Sequence, residues 1–369
     1  MKTSIILIIL TPLIYANSYL SNKDCSECHE KIYEEYKSSS HSKSYFNDEL
    51  HKKVADSVSK EKYKCAVCHM PMADNLQDLV NGKARPDINN KTHTDAVSCY
   101  FCHTIAYVKK AHRHNINIKA KQAQGYKPTL YGRLKNPEDS NKHSSVNNPI
   151  YAKGVCIGCH SHKLNENNIT IFRTIDANQD SIDCIRCHMP KVEGRVEKMN
   201  KRSRTEYKSH KFLGIYDREF RKEGLDINIT NSNNEIIINL TNKMGHPLII
   251  QPARAKYLKV KVIRDNKTIW QNYDNNPEED SKILFELKFK RNSKYITIPA
   301  TATEVIENNI DKNETKTIKY KNIELKRGDI IEATLYVRFA KRECSQILDL
   351  EDEKFKKEEI IKKVKLIVD

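Results

Sequence analysis

Ten of the chain's eleven cysteines fall into five copies of one pattern, Cys-x-x-Cys-His. The copies are Cys25-Ser-Glu-Cys28-His29, Cys65-Ala-Val-Cys68-His69, Cys99-Tyr-Phe-Cys102-His103, Cys156-Ile-Gly-Cys159-His160 and Cys184-Ile-Arg-Cys187-His188. At the chain's own Cys and His frequencies about 0.01 such patterns would arise by chance. Two thiols three residues apart can add to the two vinyl groups on one edge of a haem, and the adjacent imidazole then lies beneath the iron. The pattern therefore predicts five covalently held haem c groups, with the ten cysteines as attachment points. His29, His69, His103, His160 and His188 each supply one axial ligand. Zinc uses such cysteine pairs two at a time and would leave one of the five unmatched. Disulfide staples would not repeat the tightest spacing with a histidine after every pair, and thioredoxin-like pairs occur once per domain. Cys344, the remaining cysteine, reads as a buried thiol near the end of a strand.

The sixth position of each iron decides whether a haem only passes electrons or also binds a substrate. Nine histidines lie outside the motifs: His41, His51, His93, His112, His114, His143, His162, His210 and His246. Ile32, Tyr33 and Tyr36 sit at helical spacing, so a helix is expected from His29 towards His41. Twelve helical residues cover ~18 Å, whereas two imidazoles on one iron need backbones within roughly 12 Å, so a helical segment sends His41 to a neighbouring haem. His93 lies six residues before Cys99 and His143 thirteen before Cys156, both in polar segments with turn signals. The distal set expected is His41, His93, His143, His210 and His246. Met70, Met72 and Met189 follow motifs directly and read as polarizable filler against a porphyrin face, with Pro71 and Pro190 stopping the helical turn.

Several of these features together resemble the cytochrome c-554 family of multihaem cytochromes, over roughly residues 24–215. They are Cys-x-x-Cys-His-Glu running through an aromatic-bearing helix into Ser40-His41-Ser42, His93 ahead of the third motif, the Cys-His-Met-Pro endings, and Ser209-His210-Lys211-Phe212. The resemblance implies that His41, His93 and His210 are distal ligands, that haems lie in alternating parallel-stacked and perpendicular pairs, and that the role is respiratory electron transfer. This chain has five motifs where that family has four, so ligand pairings do not carry across.

From Leu225 the pattern changes to alternating apolar runs separated by Asn-rich turns. Strands are expected within 226–230, 235–241, 257–263, 283–289, 295–298, 315–320 and 330–339. The fold class expected is α+β: a mainly helical and irregular pentahaem domain over 19–219, then an antiparallel β-sandwich-like domain without haem over 220–369. Gly245-His246-Pro247, with Arg254 after it, resembles a Gly-His-x-x-Pro turn of strand-rich domains appended to other multihaem cytochromes, where the histidine caps a nearby haem. The Pro-Thr-Gly usual after that turn is replaced here by Leu248-Ile249-Ile250-Gln251-Pro252, and the competing reading is a histidine held in a hairpin.

Residues 1–18 read as a signal peptide: Lys2, an apolar stretch from Ile5 to Tyr15, and the small-residue site Ala16-Asn17-Ser18. About eleven apolar residues fall short of the ~20 a membrane span needs, so the expectation is a periplasmic protein with no transmembrane segment in the mature chain. The formal charge of +16 does not call for nucleic acid, because the propionates of five haems remove about ten charges and leave roughly +5. Locally, 109–163 holds eleven Lys or Arg against Glu138 and Asp139, which suits an acidic redox partner or docking to a membrane-bound oxidoreductase. The functional expectation is electron transfer through bis-His haems. Its alternative is reduction of a small nitrogen or sulfur oxyanion at one five-coordinate haem.

Overall fold

The computed structural model describes residues 19–43, 45–123, 126–175, 183–194, 202, 204–232 and 234–369, so the expected signal peptide lies outside the described residues. The N-terminal part is built from short helices and two-stranded ribbons. Each motif is a single helical turn: the amides of His29, His69 and His160 bond the carbonyls of Cys25, Cys65 and Cys156 at 2.9, 3.0 and 2.9 Å. That turn places both thiols and the following imidazole on one face. The turns are started deliberately. Ser21 forms a capping box ahead of Cys25, Ser98 accepts from the amide of Phe101, and Asp183 from that of Arg186. They end as the sequence requires, since Pro71 and Pro190 closely follow Ala66–His69 and Cys184–His188.

The expected helix between His29 and His41 spans Glu30–Ser38, after which a tight turn, Ser40–Ser42, carries His41. Met70 is fully buried with Tyr63, Ala66 and Leu79 in a small cluster. The large apolar core of the described residues belongs to the strand-rich part, where buried residues from Leu225 to Val368 form one continuous body.

That part consists of two antiparallel sheets sharing this core. In one, Glu235–Asn242 lies between Leu225–Ser232 and Thr315–Tyr320. In the other, the order is Lys294–Ile296, Leu284–Arg291, Ala255–Arg264, Ile330–Arg338 and Glu358–Ile367, with Lys267–Gln271 and Glu304–Asn308 attached at its margins. The α+β class holds. Three strands of this part went unread in the sequence, Lys267–Gln271, Glu304–Asn308 and Glu358–Ile367, because polar and charged residues limit their apolar runs at exposed edge positions. Cys344 is a buried thiol on the short helix Arg342–Ile347 that follows a strand.

The strand-rich part grips the motif-bearing part at several points. The side chain of Glu49, at the start of the helix Glu49–Val58, accepts from the amides of Glu351 and Asp352 at 2.7 and 3.0 Å, and Lys53 donates to the Asp349 carbonyl at 2.6 Å. Asn165, after the fourth motif, donates to the carbonyls of Pro299 and Ala302 at 3.0 and 2.8 Å. The buried Arg221 meets Glu359 at 2.5 Å. Two of these grips sit on segments that carry site histidines or lie directly after them.

Candidate functional site

Two imidazoles that share one metal ion, each nitrogen about 2.0–2.1 Å from it, have ring centres about 6 Å apart. Four motif histidines meet this condition with a histidine distant in sequence. The centres of His29 and His143 are 6.3 Å apart, of His160 and His41 5.8 Å, of His103 and His210 6.4 Å, and of His188 and His246 6.4 Å. The fifth, His69, stacks on His51 with centres only 3.8 Å apart. His41, as its helix length required, stands over a different motif from the one it follows.

The second ring nitrogens tell the same story. A metal-binding imidazole usually gives its other N–H to a carbonyl, which fixes the tautomer and leaves the remaining nitrogen free. Nδ1 of His103 bonds the Tyr131 carbonyl at 2.7 Å, that of His188 Leu213 at 2.5 Å, that of His210 Lys208 at 2.9 Å, and that of His246 Pro247 at 2.8 Å. His41 is enclosed, with Nδ1 buried and without a partner, and Phe212 lies edge-on at 4.4 Å. Desolvation by burial holds His41 down to about 3 and His210 and His246 to about 4. Each therefore stays neutral at ordinary pH, the form that binds metal. A haem fits this donor set: ten thiols on helical turns, each turn with an imidazole, across from four of which stands a second imidazole at the spacing of a shared iron.

Local devices place the distal rings. Lys142 pairs with Glu27 at 2.5 Å and so ties the segment of His143 to the first motif. The buried Glu35 on Glu30–Ser38 accepts from Tyr207 Oη at 2.7 Å, Ser209 Oγ at 3.3 Å and the His210 amide at 2.7 Å. Glu35→Ala leaves three donors without an acceptor, and unfolding by heat or denaturant should show a loss of about 3 kcal/mol. Phe212 holds φ at +49°, a left-handed conformation costly for a bulky side chain, and packs between His41 and His210.

At Gly158, inside the fourth motif, an added Cβ would lie 1.8 Å from Asn117 Oδ1. Asn117 also donates to Cys159 Sγ at 3.2 Å. Gly158→Ala should therefore push the Asn117 carboxamide off Cys159 Sγ, a shift that side chain can make, and leave five haems per chain as read by pyridine haemochrome and mass.

One expected distal ligand is out of place. His93 is buried, but its Nδ1 accepts from the Asp87 amide at 3.0 Å and its Nε2 bonds Asn75 Oδ1 at 2.8 Å. Both nitrogens are consumed, and among the described residues no motif imidazole stands opposite. The imidazole beside the second motif is that of His51, stacked on His69 at less than the spacing of a shared iron. It lies on the helix Glu49–Val58, and its Nε2 bonds Tyr63 Oη at 2.8 Å. The only sequence signal for His51 is its place on an amphipathic helix close to the second motif. Of the others, exposed His112 bonds Asn168 at 3.1 Å, and His162 bonds the His112 carbonyl at 3.0 Å.

Thiols of different motifs are neighbours. Cys25 and Cys99 lie within hydrogen-bonding reach, as do Cys68 and Cys159, and Cys156 and Cys184. Cys102 is close enough to Cys156 and Cys159 to oppose their ionisation. Motif one thus adjoins three, three adjoins four, and four adjoins both two and five.

Residues 24–104 match the model of the family described as cytochrome c554 and c-prime, a shorter stretch than the resemblance read from the sequence and one that contains three motifs. No curated protein sequence matches significantly. Among solved structures, the chain is similar to a penta-haem cytochrome c552 from Thermochromatium tepidum, with a TM-score of 0.75 and 18% identity over 95% of this chain and 99% of that one.

Proposed function

We propose that this chain, with five Cys-x-x-Cys-His turns on the fold of a penta-haem cytochrome, is a periplasmic electron carrier of anaerobic-type respiration. The observation that carries the reading is that four motif histidines have a second imidazole at the spacing of a shared iron, while the fifth, His69, has His51 stacked beside it. When bound, each haem supplies a one-electron iron couple. The chain's own work is to hold two neutral imidazole nitrogens on each axis and to keep water from them. Where two imidazoles would hold a haem, no position would be left for a substrate, and no acid or base would be required. Among the described residues no helix is long and apolar enough to cross a membrane. The neighbouring thiols favour a branched order with the fourth motif as junction, and the basic segment 109–163 favours an acidic redox partner or a membrane-bound oxidoreductase.

The test is a haem count together with electron paramagnetic resonance of the oxidised protein. Five low-spin haems support the carrier. One of them should be highly anisotropic, because the His41 and His160 planes are 82° apart whereas the rings of the other pairs lie within 30° of each other. An abundant high-spin signal sinks it.

A second reading attaches to the second motif alone. The His51 and His69 rings are too close to share an iron unless they open by about 2 Å. Lys163 lies near both. If His51 stays on Tyr63, that iron keeps an open side with a lysine beside it, suited to a small nitrogen or sulfur oxyanion. Cyanide binding to one haem of the oxidised protein would favour this reading.

A further inference from the structure

The strand Ala255–Arg264 carries an anomaly at its start. Lys256 lies on the same face as Leu258, Val260 and Val262, all fully buried in the core between the sheets. Its side chain is also buried, at 6% exposure, and its ammonium meets only the Leu248 carbonyl, at 2.5 Å. Two residues earlier, Arg254 has its Nε buried without a partner, and its guanidinium lies 5.6 Å from the centre of the Tyr216 ring. Among the described residues neither cation forms an ion pair. Buried charges are normally paired, so a buried ammonium beside a half-buried guanidinium whose Nε is enclosed, with no anion between them, marks a place where an anion belongs.

The place is defined by contacts. Burial, with Arg254 close by, disfavours protonation of Lys256, and Lys256 in turn adds to the burial that keeps His246 neutral. His246 faces His188, whose other neighbour is Phe220 at 5.2 Å. Tyr216, under Arg254, packs on Phe339 at 4.7 Å. Lys256, bonded to the carbonyl two residues after His246, thus lies on the His246 side of the space between His188 and His246, with Arg254 next to it.

We propose that Arg254 and Lys256 form the carboxylate pocket of the fifth motif and pair with the propionates of the haem held there. The inference rests on the reading that His188 and His246 share that haem. A guanidinium offers a forked donor set and an ammonium a point charge, a combination suited to carboxylates on one edge of a macrocycle. The consequence is electrostatic. A buried ammonium and a half-buried guanidinium beside one haem favour its reduced, less positive state and raise its potential above what bis-imidazole ligation alone would give.

The experiment is a potentiometric titration of the holoprotein followed spectroscopically, for wild type, Lys256→Met, Arg254→Gln and Lys256→Arg, each with and without sodium acetate. Haem count and low-spin content come first: five low-spin haems in all four proteins keep the underlying reading intact. In Lys256→Met and Arg254→Gln one haem should then titrate lower, by roughly tenfold in its oxidised-to-reduced ratio at fixed ambient potential, with the others unmoved. Lys256→Arg should stay near wild type, and acetate should change nothing because the pocket is already filled. Curves that superimpose on wild type for both charge-removing variants would overturn the proposal. So would a wild-type potential that moves with acetate, which would make this a site for a free anion.

Discussion

Replacing His246 with alanine is expected to turn one haem of five high-spin and leave the other four unchanged, as seen by electron paramagnetic resonance of the oxidised protein. The ring stands 6.4 Å from His188, nearly parallel to it, and its Nδ1 is committed to the Pro247 carbonyl, so only Nε2 remains for a metal. The turn that presents it is fixed from within the strand-rich part. Asn242, fully buried, donates to the carbonyls of His246, Ile310 and Asp311 at 2.9, 3.0 and 3.0 Å and accepts from the Met244 amide at 3.0 Å. Asn242→Ala should therefore weaken the same ligation without touching the ring, giving a mixture of high- and low-spin at that one haem. If His246→Ala leaves the spectrum unchanged, His246 is a turn residue only, and the strand-rich part contributes no ligand.

The second large effect is a contrast between two histidines. His51→Ala should convert one haem to high-spin, whereas His93→Ala should keep the full low-spin complement and cost about 2 kcal/mol of stability. The reason lies in where the nitrogens go. His93 spends both on Asp87 and Asn75, so its loss removes a buried hydrogen-bonded brace. His51 stacks on His69 from a helix that Glu49 and Lys53 fasten to the loop around Asp349. The reverse outcome, a high-spin haem in His93→Ala and none in His51→Ala, would restore the ligand implied by the family resemblance. An unchanged spectrum in both, with one high-spin haem already present in the wild type, would leave the second motif with an open iron and favour the reductase reading.

His93 and His51 also show where sequence reasoning stops. His93 had the stronger local case, six residues ahead of a motif and in a familiar place, yet its neighbours Asp87 and Asn75 satisfy it before any iron can. His51 sits in a charged helix, Glu49–Val58, that reads as a solvated surface, and only its packing of Leu50 and Val54 against the strand-rich core turns its ring inward. His41 was legible in part, because helix length excluded its own motif, but nothing local said that the fourth would receive it. The Arg254 and Lys256 pair was invisible, since a lysine in an alternating strand reads as an outward residue until the sheet's inner face is known.

By itself the sequence determined the five attachment turns and their proximal histidines, because thiols at i and i+3 and an imidazole at i+4 meet on one helical turn whatever surrounds them. It also marked the change to strands near Leu225, where the apolar period shifts to two. Tertiary structure alone decided the distal side. A second ligand comes from a segment far away in the chain, and whether its nitrogen is free depends on carbonyls, carboxamides and packing that only the folded chain brings together.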